Sequence, residues 1–272
     1  MEIKDLCTLI EENDDENRGV HFSLTDIYNE GWLLRLALSK GLLQKKLDLK
    51  ENEKWFSEAE LKSPFLHGEN RENRTHADAV IGSFKIEENT ATGVEIDEDK
   101  FLSFYAIEAK MFAPLSKGIT SCKKEYNQAT RYIGCLAQMA FEADLKNDDK
   151  FAKLGLFVIA PDSPKKIEIE KAISKSKIEE QLNKRINNYE EQFGNQATGK
   201  KEIEKKDWWD EYKLWKDWWK SCHKKFLDNV KIELLFWDDI VKTDEKLQAF
   251  YKNCLVYNDP KTYKVKKAKH GK

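Results

Sequence analysis

The sequence of 272 residues lacks most of the features that mark secreted, membrane-bound or strongly basic proteins. Its five cysteines are scattered without a Cys-x-x-Cys pair, so neither a disulfide framework nor a zinc knuckle is expected. The chain starts without an apolar signal region, and no apolar run approaches the length of a membrane span. A net charge of -2 excludes nucleic-acid binding through bulk basicity, so any site for a polyanion has to be a local patch. These absences predict a soluble, cytoplasmic protein with no membrane partner.

The composition that is present supports a folded core. Hydrophobic residues make up 40% of the chain and aromatic residues 11%, while the 35% of charged residues predict a well-solvated surface. The length suits one large domain, or a core domain with a sizeable insertion.

The hydrophobic pattern alternates between strands and helices in the first 160 residues. Period-2 or continuous apolar runs indicate strands, and apolar stripes at helical spacing indicate helices. The polar region 45–74 is expected to be loop or irregular structure. The predicted elements are a helix at 27–38 capped by 23–26, strands at 77–86 and 101–112 with a short one at 92–96, a helix at 123–144, and a core strand at 154–160.

Four regions follow from this pattern. Residues 165–230 are charged, predicted to be helical and rich in tryptophan, whereas 231–237 returns to a strand and 244–254 to a helix. The basic tail is expected to fray. The predicted divisions are a core at 1–164, a helical insertion or arm at 165–230, a strand and helix packing on the core at 231–260, and the tail at 261–272.

Two opposite charges interrupt the apolar strand at 101–112. Acidic-x-basic spacing alone carries no information, since this composition gives roughly 8 such matches by chance. Glu108 and Lys110, however, share one face of a strand whose other positions are mostly apolar. A buried charge is unfavourable unless it is paired or bound to metal, so the pair is either a structural salt bridge or part of a site.

A second carboxylate lies one strand earlier. Asp78 starts the apolar strand at 77–86, which would neighbour the strand of Glu108 in an antiparallel meander. Two carboxylates brought together repel each other, and a divalent cation that prefers oxygen ligands relieves that repulsion. A lysine beside such a cation can orient the attacking water and stabilise developing negative charge. The alternative for Asp78 is a cap at the start of the strand.

This order of residues resembles the PD-(D/E)XK nuclease superfamily, which has the restriction-endonuclease-like fold. Asp78, Glu108 and Lys110 match its motif, and Gln128-x-x-x-Tyr132 in the next helix is similar to the Gln-x-x-x-Tyr element of the RecB-like branch. The family's usual proline before the first aspartate is replaced by Ala77. The resemblance covers roughly residues 24–160 and rests on motif order.

The resemblance implies an α/β fold with an αβββαβ core, a mixed central sheet and a long helical insertion. It implies Mg2+-dependent hydrolysis of DNA phosphodiester bonds, with Mn2+ as a substitute, in an endonuclease that serves in defence against phage or foreign DNA. Asp78 and Glu108 would hold the metal, joined by Glu30 of the first helix. Lys110 would assist catalysis. Two alternatives remain, which are a non-catalytic binding or assembly protein on an inactive nuclease fold and a nuclease that acts on RNA.

The similarity to the Gln-x-x-x-Tyr element implies that Gln128 and Tyr132 orient the site or the substrate. Ordinary capping and packing would explain the two residues equally well.

The tryptophan-rich segment has two interpretations. On a helix, Trp208, Trp215 and Trp219 fall on one stripe near Tyr212, with lysines between them. Aromatic rings and lysines could form a stacking surface for nucleic acid. The pattern favours packing on the core or in a homo-oligomer, because such stripes are more often buried.

Overall fold

A computed structural model of the protein describes residues 27–50, 53–67, 71–72, 74–115, 127–194 and 202–259. The predicted caps at 23–26 and the predicted tail at 261–272 lie outside the described residues, as do the first residues of the helix predicted at 123–144. Among the residues that are described, no helix combines the length and apolar character needed to cross a membrane.

The centre of the molecule is a five-stranded mixed sheet in the order β1-β2-β5-β6-β7. Strands β1, β2 and β5 pair antiparallel, whereas β5, β6 and β7 run parallel. This confirms that the strands predicted near 77–86, 101–112 and 154–160 share one mixed sheet. The strands are β1 (Trp55–Leu61), β2 (Thr75–Gly82), β3 (Phe84–Ile86), β4 (Val94–Ile96), β5 (Phe104–Ala109), β6 (Leu154–Ala160) and β7 (Lys231–Phe236).

Helices cover both faces of the sheet. One apolar cluster joins a sheet face to α3, α6 and α7, and a second joins the other face to α1, α8 and α9. The fold is therefore α/β with three layers. The helices are α1 (Glu30–Ser39), α2 (Leu42–Lys46), α3 (Gln128–Glu142), α4 (Asp148–Phe151), α5 (Lys166–Ala172), α6 (Lys175–Gly194), α7 (Glu202–Asn229), α8 (Trp237–Val241) and α9 (Glu245–Asn258).

Strands β5 and β6 lie at the middle of the sheet, and every residue in them is buried. Covering helices on both faces explain why these strands are apolar on both sides. The helical stripe of α3 is also buried as predicted, which gives the sheet a continuous partner on one face.

Two local predictions were wrong. Strand β1 lies inside the region expected to be irregular, and it is an edge strand paired on one side with β2. The strand predicted at 77–86 is broken after Gly82, which has φ of 124° and lies so close to β5 that an added Cβ would be 2.2 Å from the Ser103 carbonyl oxygen. The chain then turns into β3, which pairs with β4 in a separate two-stranded sheet.

Helix α1 begins later than predicted. Asn29 is its N-cap, and the Asn29 side chain accepts a hydrogen bond from the Trp32 N–H at 3.0 Å. A side chain that satisfies a free N–H of the first turn fixes the start of a helix. Glu30 is consequently the first helical residue, not one in the middle of the helix.

Helix α7 packs its aromatic stripe inside the chain. Trp215 and Trp219 are buried, and Tyr212 is buried beside them against Phe65 and Tyr189. This agrees with the packing interpretation, with the partner surface supplied by the same chain. The described parts of the region 165–230 thus pack over the α3 face of the sheet.

We expect Trp219→Ala to lower the free energy of unfolding by about 3–5 kcal/mol, because a large buried side chain is lost and a cavity remains. Trp219 is 1% exposed, whereas Leu214 on the same helix is 63% exposed, so Leu214→Ala serves as the matched control. Denaturant unfolding of both variants checks the expectation. Unchanged stability of Trp219→Ala together with lost nucleic-acid binding would instead support the stacking surface.

Candidate active site

The site is built around one buried carboxylate. Glu108 lies in β5, is 2% exposed and faces the cluster that includes α3. A carboxylate in such a position needs hydrogen bonds or opposite charge to stay ionised. The structure places three donors around it, from Lys110, Gln128 and Tyr132.

Lys110 follows Glu108 by two residues and points to the same side of the sheet. Its ammonium group forms an ion pair with Glu108 Oε1, and the lysine side chain is largely buried. The Lys110 backbone is also fixed, since its N–H donates to the Ile159 carbonyl at 2.8 Å and its carbonyl accepts from Trp237 Nε1 at 3.0 Å. The ammonium therefore projects from a chain segment that is held on two sides.

Helix α3 supplies the other two donors. Gln128 and Tyr132 are four residues apart, which puts them on the same side of the helix. Gln128 Nε2 donates to Glu108 Oε1 at 2.7 Å, and the Tyr132 hydroxyl bonds to Glu108 Oε2. The two side chains together fix both oxygens of the carboxylate.

Tyr132 is fully buried and remains a proton donor. Its hydroxyl lies 2.8 Å from the His76 carbonyl as well as against Glu108. Burial, followed by the nearby charge of Glu108, raises the pKa of Tyr132 well above its usual value. A phenol that keeps its proton can hold the carboxylate in one orientation at any pH near neutrality.

Asp78 occupies the position opposite Glu108. The register pairs Ala79 with Ile107 and Val80 with Ala106, so its continuation by one residue pairs Asp78 with Glu108. Side chains directly opposite each other in an antiparallel pair have Cβ atoms about 4.5–5.5 Å apart. The charge of Glu108 contributes to raising the Asp78 pKa, so the two carboxylates lie near each other.

The ladder between β2 and β5 changes at this point. Past Ala79, the Ala109 N–H donates at 2.7 Å to the Asp78 side chain, at Oδ2, where a regular ladder would use a backbone carbonyl. Ala77 and Val80 both pack in the α3-side cluster although they are three residues apart, so the alternation of side chains changes phase between them. This irregularity in β2 places the Asp78 side chain against β5.

The pKa of Asp78 is raised from 3.8 to about 7. The largest cause is burial, followed by the negative charge of Glu108, and both outweigh the hydrogen bond from Ala109. A pair of carboxylates in which one has a strongly raised pKa is typical of functional sites. Asp78 and Glu108 also provide an oxygen pair that a divalent cation would neutralise.

Glu58 is the acidic neighbour that the sequence analysis did not identify. It lies opposite Asp78 on the β1 side, between the register pairs Ser57–Ala79 and Ala59–Ala77, and its charge contributes to raising the Asp78 pKa. Glu58 has φ of 57°, a left-handed conformation that is strained for a residue other than glycine. Its carboxylate forms an ion pair with Arg35 at 2.8 Å.

Glu30 is placed differently from the other predicted residues. It begins α1 and lies near Cys254 of α9, whose pKa is raised to about 12 by burial and then by the charge of Glu30. Within the described residues, no group of three or more His, Cys, Asp or Glu side chains is arranged to hold a metal ion, so Glu30 is not joined with Asp78 and Glu108. Mg2+ commonly binds through only one or two protein carboxylates and completes its shell with water and phosphate oxygens, so the pair of Asp78 and Glu108 fits this cation without Glu30.

Comparison with known proteins gave no match to this chain among protein-family models, curated proteins or solved structures.

We expect Asp78→Asn to stabilise the protein at high pH in the presence of a chelator. The folded state binds the Asp78 proton more tightly than the unfolded chain, so stability is lost as pH rises from about 4 to 7. Asparagine removes this loss, and the gain should be near zero below pH 4 and reach at most about 4 kcal/mol above pH 7.

Denaturant unfolding of wild type and Asp78→Asn between pH 4 and 9 measures the difference. Asp99→Asn, at an exposed position, controls for the loss of one surface charge. Parallel pH profiles for wild type and Asp78→Asn would contradict the expectation.

Proposed function

We propose that the protein is a metal-dependent nuclease that hydrolyses phosphodiester bonds in DNA. The observation that supports this function most strongly is the closeness of Asp78 to Glu108 and Lys110, whose charges both act on the Asp78 carboxyl. The order α1, β1, β2, β5, α3, β6 is compatible with the αβββαβ core that the motif resemblance implies.

In this proposal, Asp78 and Glu108 hold Mg2+, for which Mn2+ can substitute. The cation would polarise the scissile phosphate and lower the pKa of a bound water. Lys110 provides a positive charge at the same place, where it can orient the attacking water and stabilise the additional negative charge of the transition state. Gln128 and Tyr132 keep the Glu108 carboxylate oriented, which is a positioning role.

The rival proposal is that Glu108 and Lys110 form a purely structural ion pair on an inactive fold. The contact between their side chains fits that reading too. It gives Asp78 only the structural role of accepting the Ala109 N–H, whereas the charge of Asp78 beside Glu108 lowers stability.

Incubation of the purified protein with plasmid, linear and single-stranded DNA, and with RNA, tests the proposal. Each substrate is compared in Mg2+, in Mn2+ and in chelator. Cation-dependent cleavage of DNA supports the proposed function, preferential cleavage of RNA supports the RNA-directed alternative, and binding without cleavage supports the inactive fold.

We expect Glu108→Gln to weaken cation binding and cleavage together, since it removes one negative charge with little change of shape. Calorimetric titration with Mn2+, a nuclease assay and thermal melting measure the three properties. The half-exposed pair of Lys62 and Glu142, 2.5 Å apart, offers Glu142→Gln as the matched control. An unstable Glu108→Gln protein with normal cleavage would support the structural ion pair.

We expect Lys110→Met to spare cation binding but slow the chemical step. Loss of a group that stabilises transition-state charge typically costs about 2–4 kcal/mol, so single-turnover cleavage should fall about a hundredfold or more. Lys62→Met is the control, because it also breaks a Lys–Glu pair. Equal cleavage rates in wild type and Lys110→Met would remove Lys110 from the mechanism.

A further inference from the structure

Helix α6 is bonded to the first turn of α3, the helix that carries Gln128 and Tyr132. Gln181 of α6 places its side-chain oxygen, Oε1, 3.0 Å from the Asn127 N–H and 2.8 Å from the Thr130 hydroxyl. Both groups donate to this one oxygen. All three side chains are buried, so water does not replace these bonds at low cost.

Asn127 is held from a second side. Its side-chain oxygen accepts from the Thr130 N–H at 2.9 Å as the N-cap of α3, and its Nδ2 donates to the Ala172 carbonyl at 2.9 Å at the end of α5. The residue that follows Asn127 is Gln128, which reaches Glu108. A displacement of the cap therefore moves a direct partner of the central carboxylate.

A buried ion network fixes α6 against α3 one turn further along. Glu72 bonds to Arg185 of α6, with Nε 3.0 Å from Oε1, and lies 3.5 Å from Arg131 Nε of α3. The side chains of Glu72 and Arg185 are both completely buried. Because this network holds α6 against α3, the position of Gln181 is fixed. The bonds from Gln181 can therefore fix the first turn of α3.

We propose that Gln181 is a positioning residue for the active site, acting through Asn127 and Thr130 on Gln128 and thereby on the Glu108 carboxylate. The role of Gln181 in catalysis rests on the proposed nuclease function. The role of Gln181 in placing Gln128 does not depend on that function, because it is argued from the geometry alone. The insertion that carries Gln181 is on this view part of the catalytic architecture.

Two substitutions separate positioning from simple stability. Gln181→Met keeps the length of the side chain and removes the oxygen that accepts both bonds. Gln181→Glu keeps an accepting oxygen, and its negative charge lies at the N-terminus of α3, where the helix dipole favours it. Ile186→Val, which removes one buried methylene-sized group from the same helix, is the control for a small loss of packing.

We expect Gln181→Met to lower kcat for DNA cleavage by about tenfold to a hundredfold, because small misplacements of site groups have effects of that size. KM should stay within about twofold, Mn2+ affinity should fall, and Gln181→Glu should recover most of the loss. Ile186→Val should leave kcat and Mn2+ affinity unchanged. Equal kcat values for Gln181→Met and Ile186→Val in an active wild type would overturn the positioning role.

A spectroscopic readout keeps this inference separate from the proposed function. In 15N-labelled protein, the side-chain amide signal of Gln128 should shift in Gln181→Met and return towards its wild-type position in Gln181→Glu. An unmoved Gln128 signal overturns the positioning role whether or not the protein cleaves DNA. A wild type that neither cleaves DNA nor binds Mn2+ overturns the nuclease alone. If Gln181→Met does not fold, Thr130→Val removes one of the two bonds and is judged by the same signal.

Discussion

The carboxyl group of Glu108, held inside an apolar sheet, is the constraint on which the rest of this structure depends. Its charge is tolerated because Lys110, Gln128 and Tyr132 supply a cation and two hydrogen-bond donors. These three side chains are themselves held in position by other elements, and those elements make up much of the fold. Strand β6 and Trp237 hold the backbone of Lys110, while the layer of α6 and α7 covers α3.

The arrangement of strands explains why two carboxylates meet at this point. Antiparallel pairing of β2 with β5 and the bond from the Ala109 N–H hold Asp78 beside the strand of Glu108, and parallel pairing of β5 with β6 buries that strand from its other side. Every residue of β5 is buried, so the pair cannot move apart into water without breaking the sheet. The raised pKa of Asp78 is the electrostatic consequence of this enforced closeness.

The parts of the fold that could be predicted from the sequence are those fixed by local pattern. The continuous apolar run of β6 and the stripe of α3 were sufficient, and the strands that carry Asp78 and Glu108 are neighbours in the sheet. Strand β1 was missed because it is an edge strand with charged residues and a left-handed residue at Glu58. Contacts between distant residues leave no local signal, and the bond from Trp237 to the Lys110 carbonyl spans 127 residues.

The charges of the site are partly balanced by residues of the chain itself. Burial and the charge of Glu108 raise the pKa of Asp78 to about 7, and Lys110 forms an ion pair with Glu108. In the proposed function, Asp78 and Glu108 would hold the cation, and Gln128 and Tyr132 keep the Glu108 carboxylate oriented. Lys110 would supply positive charge at the same place, so its structural ion pair with Glu108 is compatible with the catalytic role that the proposed function gives it.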